Sequence, residues 1–102
     1  MNNDSKNVNE YIEYAKAGIM SRKLNKDAKT EITMFCMKKG TGISEHTTTR
    51  NATLFIVEGD GICTLEGREI RMKPHTLITM DKNAVHSLNA YEDTCFVLTL
   101  FD

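Results

Sequence analysis

Short runs rich in β-branched and aromatic residues recur along this chain, each closed within a few residues by a turn signal. Runs of that length and spacing favour strands that fold back on one another in an antiparallel barrel or jelly roll. The expected strands are 19–24, 30–38, 52–57, 62–65, 69–72, 77–80, 84–88 and 94–101. Between them stand polar or glycine-bearing turns: Asn25–Lys29, Gly40-Thr41-Gly42, Glu58–Gly61, Glu66-Gly67, Lys73-Pro74-His75, Asp81–Asn83 and Tyr91–Asp93. Glu66-Gly67 between two such runs predicts a tight hairpin. The chain shows no internal repeat, low-complexity tract or linker.

One stretch has a helical period instead. Val8, Tyr11, Ile12 and Ala15 fall at i, i+3, i+4 and i+7, with Asn7 placed to cap and Gly18 to stop. A helix this short does not stand alone and must lie on the sheet. Residues 1–7 are polar and expected to fray. The organisation expected is therefore a helix and lead-in strand over 1–29 and a barrel over 30–102, one domain overall. A chain of 102 residues buries roughly 60–65% of its unfolded surface, enough for one core.

Two strands are apolar on both faces: Leu54-Phe55-Ile56-Val57 and Cys95-Phe96-Val97-Leu98. A barrel strand is ordinarily apolar inside and polar outside, so their outer face needs a cover. The expected cover is a second copy of the chain, making a homodimer. The alternative is that residues 1–24 cover the face themselves.

Composition sets further bounds. The formal net charge is −1 and there is no tryptophan, so neither the basic stripe nor the stacking platform of a nucleic-acid binder is present. Arg22, Lys23, Lys26 and Lys29 read as a solvated strand and turn. No apolar run approaches the roughly 20 residues of a membrane helix. Cys36, Cys63 and Cys95 are odd in number and widely spaced, without a CxxC pair, and the first 20 residues carry no apolar segment of a secretory signal. Free thiols in a reducing cytoplasm are the expectation.

Two spacings then connect the chain to a family. Gly40 is followed after five residues by His46, Thr48 comes two positions later, Ala52 four after that, and Gly59 closes the series. This resembles the first cupin motif, in which two histidines and a glutamate stand where His46, Thr48 and Ala52 stand here. Further on, His75, Asp81, Asn83, His86 and Ala90 occupy the positions of glycine, proline, glycine, histidine and asparagine in the second cupin motif, with Asn89 one step short of the last. Asn and His are among the few residues that tolerate the positive φ of the glycines they replace. The resemblance runs from about Thr30 to Phe101, and the chain is similar to the small conserved-barrel cupins. It implies a β-barrel with the site in its mouth, often dimeric.

The resemblance also implies a site. Metal-binding cupins commonly hold zinc, manganese, iron, nickel or copper on three histidines and a glutamate, and this chain keeps two of those positions, His46 and His86. A catalytic zinc needs about three protein ligands, and a non-haem iron site two histidines and a carboxylate. Glu45, Glu58 and Asp81 do not match in parity or position. Cys36, Met34, Cys63 and Met80 are soft donors but ordinary core residues. Three readings stay open: a metallo-cupin with an incomplete ligand set, a metal-free pocket that binds a small organic molecule through His46 and His86, and a structural remnant. The expectation adopted is the second, with the two histidines facing each other and Thr48, Arg50 and Ala52 nearby, and with no cofactor. Arg50 shares the parity of His46 and could reach an anionic ligand. His75 belongs to a surface turn. No nucleophile pairing is visible, and no reaction or substrate is named by these residues.

Overall fold

A computed structural model of the chain describes residues 3–102. Nine strands form two antiparallel sheets: β1 (Ile19–Lys26), β2 (Thr30–Met37), β3 (Gly42–His46), β4 (Asn51–Glu58), β5 (Gly61–Leu65), β6 (Arg68–Arg71), β7 (Leu77–Met80), β8 (His86–Ala90) and β9 (Thr94–Phe101). The first sheet has the order β1-β2-β9-β4-β7 and the second β3-β8-β5-β6. The chain crosses between them, as in a jelly roll. The expected all-β class holds, and all eight expected strands fall within two residues of their observed bounds. The one shifted at both ends, 84–88, is observed two residues later because Asn83 and Ala84 complete the preceding turn, where Ala84 N–H donates to Asp81 O at 3.1 Å. β3 was not expected. Its GISEH sequence alternates weakly, and only Ile43 along it is drawn inward.

The expected helix is also corrected. Val8–Tyr11 is a single 3₁₀ turn, capped by Asn7, whose side chain accepts from the Asn9 N–H at 3.1 Å. Ile12 is already extended, with φ −71° and ψ 118°. The period of Val8, Tyr11 and Ile12 therefore marks a face laid on the sheet and not a continuing helix. Residues 3–7 are exposed coil, while residues 1–2 of the expected frayed start lie outside the described residues.

The core lies between the sheets. Leu54, Ile56, Ile78 and Phe96 of the first sheet meet Cys63, Leu88 and Ala90 of the second, with Met72 beside them. The Phe35 and Phe96 rings stack within it, centroids 5.4 Å apart. A second cluster lies on the outer face of the first sheet. There Val8, Tyr11, Ile12 and Tyr14 cover Leu24, Met34, Cys36 and Cys95, with Val57 and Val97. The N-terminal segment is thus a cover for part of that face. Phe55 and Leu77, opposite each other across β4 and β7, remain exposed at 39% and 59%.

The glycine-bearing turns place the strands. Glu66 and Gly67 both have positive φ, 49° and 79°, the twist that suits a two-residue hairpin. His75 and Asn83, at the family's glycine positions, have φ of 72° and 67°. At Gly59, φ is 114° and a Cβ would stand 2.5 Å from the Thr94 Cα. Only glycine lets the β4–β5 turn close against β9.

Register also overturns the expectation of three free thiols. Cys36 on β2 faces Cys95 on β9 with Cα atoms 4.2 Å apart, and the two form a disulfide. Cys63 alone is free, buried in the inner core. Burial pushes its thiol up to about 11. Disulfides persist in oxidising surroundings, so the pairing lends no support to a reducing compartment. Above the bridge, Tyr14 donates a hydrogen bond to Glu58 Oε2 at 2.6 Å, and its hydroxyl lies 3.2 Å from Cys95 Sγ.

Two outcomes are expected. The disulfide spans 59 residues of sequence, and the loop-closure relation gives its loss a cost of about 4 kcal/mol. Alkylation of denatured protein should label one thiol before reduction and three after, and reduction should lower the denaturant midpoint accordingly. Three thiols labelled without reduction would remove the bridge. Tyr14 is held protonated by desolvation first and by Glu58 second, so its folded pKa lies above its unfolded value. Its contribution is complete at neutral pH and is lost as pH climbs above about 10. Tyr14→Phe should cost about 1–2 kcal/mol at pH 7 through the lost hydrogen bond, and the gap to the unsubstituted protein should narrow at alkaline pH. A gap that widens there would contradict this sign.

Candidate functional site

At one end of the sheets β3, β5 and β7 finish and β4, β6 and β8 begin. His46 is the last residue of β3 and His86 the first of β8, and the two are direct partners across the ladder. A bulge makes this pairing. Ile43 faces Leu88, and two steps back along β8 reach His86, but three steps along β3 reach His46. Without the extra residue, Glu45 would stand opposite His86. Bulges commonly re-aim a side chain in this way.

The imidazole rings lie 4.1 Å apart between centroids, tilted by 57°. His86 is buried at 7% exposure, and His46 is exposed. Each ring is anchored by its Nδ1. His46 Nδ1 lies 2.9 Å from the Ser44 carbonyl, and His86 Nδ1 lies 3.0 Å from the Ala84 carbonyl. A carbonyl oxygen only accepts, so both Nδ1 atoms carry the proton. In the neutral rings both Nε2 atoms are then bare acceptors. The anchoring carbonyl is in each case two residues before the histidine, so one local geometry fixes both tautomers.

The other expected site residues fall around this pair in different ways. Ala52 is buried in the core, opposite Met80 and Leu100 on its two neighbouring strands. Its methyl occupies the place of the family's glutamate. Thr48 Oγ1 accepts the Arg50 N–H at 3.3 Å, and the Thr48 carbonyl accepts the Asn83 N–H at 2.7 Å. This ties the β3–β4 loop to the β7–β8 turn. Arg50 turns to the chain end, where its Nε donates to Asp102 at 3.0 Å and its Nη2 to the Lys29 carbonyl. Of the soft donors weighed, Met34 and Cys36 lie in the outer cluster, and Cys63 and Met80 in the inner core. Among the described residues no three or more His, Cys, Asp or Glu side chains are grouped to hold a metal ion. Two imidazoles are present, and the set of about three protein ligands that a mononuclear site needs is not.

A cavity of about 530 Å³ lies between the β5–β6 and β7–β8 turns, and its lining includes neither histidine. Leu65, Met80 and Ala84 give it an apolar floor that packs on the inner core. Leu65 is the ladder partner of His86, and Ala84 supplies the carbonyl that anchors His86. The rim comes from the β5–β6 turn, with Glu66 and Arg68, and from the β7–β8 turn, with Asp81, Lys82 and Asn83. Glu66 Oε2 accepts the Val85 N–H at 2.6 Å and the Glu66 N–H donates to the Val85 carbonyl at 2.8 Å, which locks the two turns together. Of these rim residues, Glu66, Arg68 and Lys82 lie in neither motif. The signal that could have found them is the hairpin at Glu66-Gly67, whose tip must return beside the start of β8.

No curated protein matches this chain. Several solved structures share its fold. One is a conserved protein of unknown function from Streptococcus pyogenes, 22% identical, covering 100% of this chain and 90% of that one, with a TM-score of 0.86. Another is an RmlC-like cupin protein from Desulfovibrio desulfuricans, 16% identical over 98% of this chain and 97% of that one, TM-score 0.86. A cupin 2 conserved barrel domain protein from Leptotrichia buccalis is 21% identical over 95% of this chain and 47% of that one, TM-score 0.87. At these identities the likeness shows the fold alone. The family model of the cupin domain matches residues 33–101, more than half of the sequence. That match, the two motif spacings and the paired histidines at the open end of the sheets agree, and the chain belongs to the cupin domain family.

Proposed function

We propose that the chain binds a small organic molecule at this end of the sheets through His46 and His86, with the body of the molecule extending past Leu65 and Ala84 into the cavity between the β5–β6 and β7–β8 turns. The observation that carries this reading is the shared tautomer. Both Nδ1 atoms are committed to backbone carbonyls at 2.9 and 3.0 Å, so both Nε2 lone pairs are left for a hydrogen-bond donor. The cavity, at about 530 Å³, is within the range of small-molecule sites, and an apolar floor with a few convergent polar groups is their usual lining. A bare Nε2 on an anchored ring is also a proton acceptor, which makes proton abstraction the reaction class open to this pair.

A resident metal is not part of the proposal, because the two imidazoles lack the further protein ligands that a tightly held ion requires. A second copy of the chain is proposed over the uncovered outer face, on the strength of the exposed Phe55 and Leu77 side by side.

Metal analysis of untagged protein should find well under one equivalent of zinc, manganese, iron, nickel or copper. His46→Ala should lower the melting temperature by no more than about 4 °C, since surface substitutions stay near 0.5 kcal/mol, and should remove ligand uptake. Stoichiometric metal that disappears in both His46→Ala and His86→Ala would replace this reading with a metal site. For the second copy, light scattering should report twice the monomer mass, and Leu77→Lys should halve it. A monomer at all concentrations would reject it.

A further inference from the structure

The rim of the cavity carries a second message, about the charge of its occupant. Of the chain's four arginines, Arg22 is paired with Glu13, Arg50 with Asp102 and Arg71 with Asp60. Arg68, which lines the cavity, has no ion-pair partner among the described residues. Lys82, on the facing turn, is likewise unpaired and likewise lines the cavity. Two cations from separate turns thus border one concave space. A guanidinium presents a planar fork that matches a carboxylate, and an ammonium adds a point charge.

The acceptors around the same space complete the specification. Glu66 has one carboxylate oxygen committed to the Val85 N–H. Asp81 lines the cavity with a carboxylate that accepts, and outside the lining the Nε2 atoms of His46 and His86 also accept. A purely aliphatic acid would satisfy the cations and leave these acceptors without donors. A neutral polyol would do the reverse.

We infer that the occupant is a small monocarboxylic acid bearing hydroxyl or amino donors. Its carboxylate is held by Arg68 and Lys82, and its donors are directed to Asp81 and the histidine Nε2 atoms. This rests on the small-molecule reading above and adds the ligand class to it.

The test is titration of the full chain at low salt with three probes: D-gluconate, D-sorbitol and inorganic phosphate. Gluconate and sorbitol differ at one end only, a carboxylate against a hydroxymethyl group. Gluconate should bind at least tenfold more tightly than sorbitol or phosphate. Arg68→Gln and Lys82→Gln should each weaken gluconate by about tenfold or more, as loss of a charge-assisted hydrogen bond does, and leave sorbitol unchanged. Lys16→Gln, which removes an exposed cation outside the cavity lining, should change neither. Sorbitol binding as well as gluconate, or gluconate binding that survives both rim substitutions, overturns the acid class. Phosphate binding more tightly than gluconate overturns it too, as does no binding of gluconate at tens of millimolar. If sorbitol matches gluconate and both are lost in His46→Ala, the small-molecule reading at His46 stands and only the acid class falls. If gluconate depends on Arg68 and Lys82 but not on His46, the acid class stands and the role given to His46 falls.

Discussion

The last strand, β9, is buried on both faces, and the rest of the fold answers to that. Phe96 points into the space between the sheets, while Cys95 beside it points out under the N-terminal segment. A strand in that position needs neighbours on both edges and a layer on each side. β2 and β4 supply the edges. The second sheet supplies one layer, and Val8, Tyr11, Ile12 and Tyr14 supply the other. The disulfide is set within this arrangement, since the β2–β9 register brings Cys36 opposite Cys95. Apolar burial of this kind, at roughly 25 cal/mol per Å², is the main term that holds such a chain together.

The site depends on the same scaffold at one remove. The inner core holds the open ends of β3 to β8 close together, and the turns between them form the rim. Thr48 to Asn83 and Glu66 to Val85 are backbone or side-chain-to-backbone ties between different turns. They fix the rim without using the imidazoles. His46 and His86 are thereby spared structural duty at Nε2, while Nδ1 takes the anchoring role. That division of labour, one nitrogen for position and one for chemistry, recurs wherever an imidazole must present a defined face.

Much of this was legible in the residues. Strand positions followed from β-branched runs and turn residues. His75 and Asn83 stood where the family has glycine, and both adopt positive φ. The pairing of His46 with His86 followed from motif spacing. The 3₁₀ turn was not legible, because a face of Val8, Tyr11 and Ile12 laid on a sheet has the same local spacing as a short helix. β3 was missed because GISEH has one inward apolar residue and little alternation. The bulge is invisible in principle: it is a mismatch between two strands far apart in sequence.

The sequence by itself determined the family, the all-β class, the positions of most turns and the identity of the two histidines, because each depends on local propensity or on fixed spacing along one chain. Tertiary structure alone decided which cysteines pair and what covers part of the outer face. It also decided that Arg68 and Lys82, 14 positions apart in sequence, share one cavity. The cysteine pairing depends on register between strands distant in the chain, where a slip of one residue would turn each side chain to the opposite face, and the shared cavity depends on which turns the two sheets bring together.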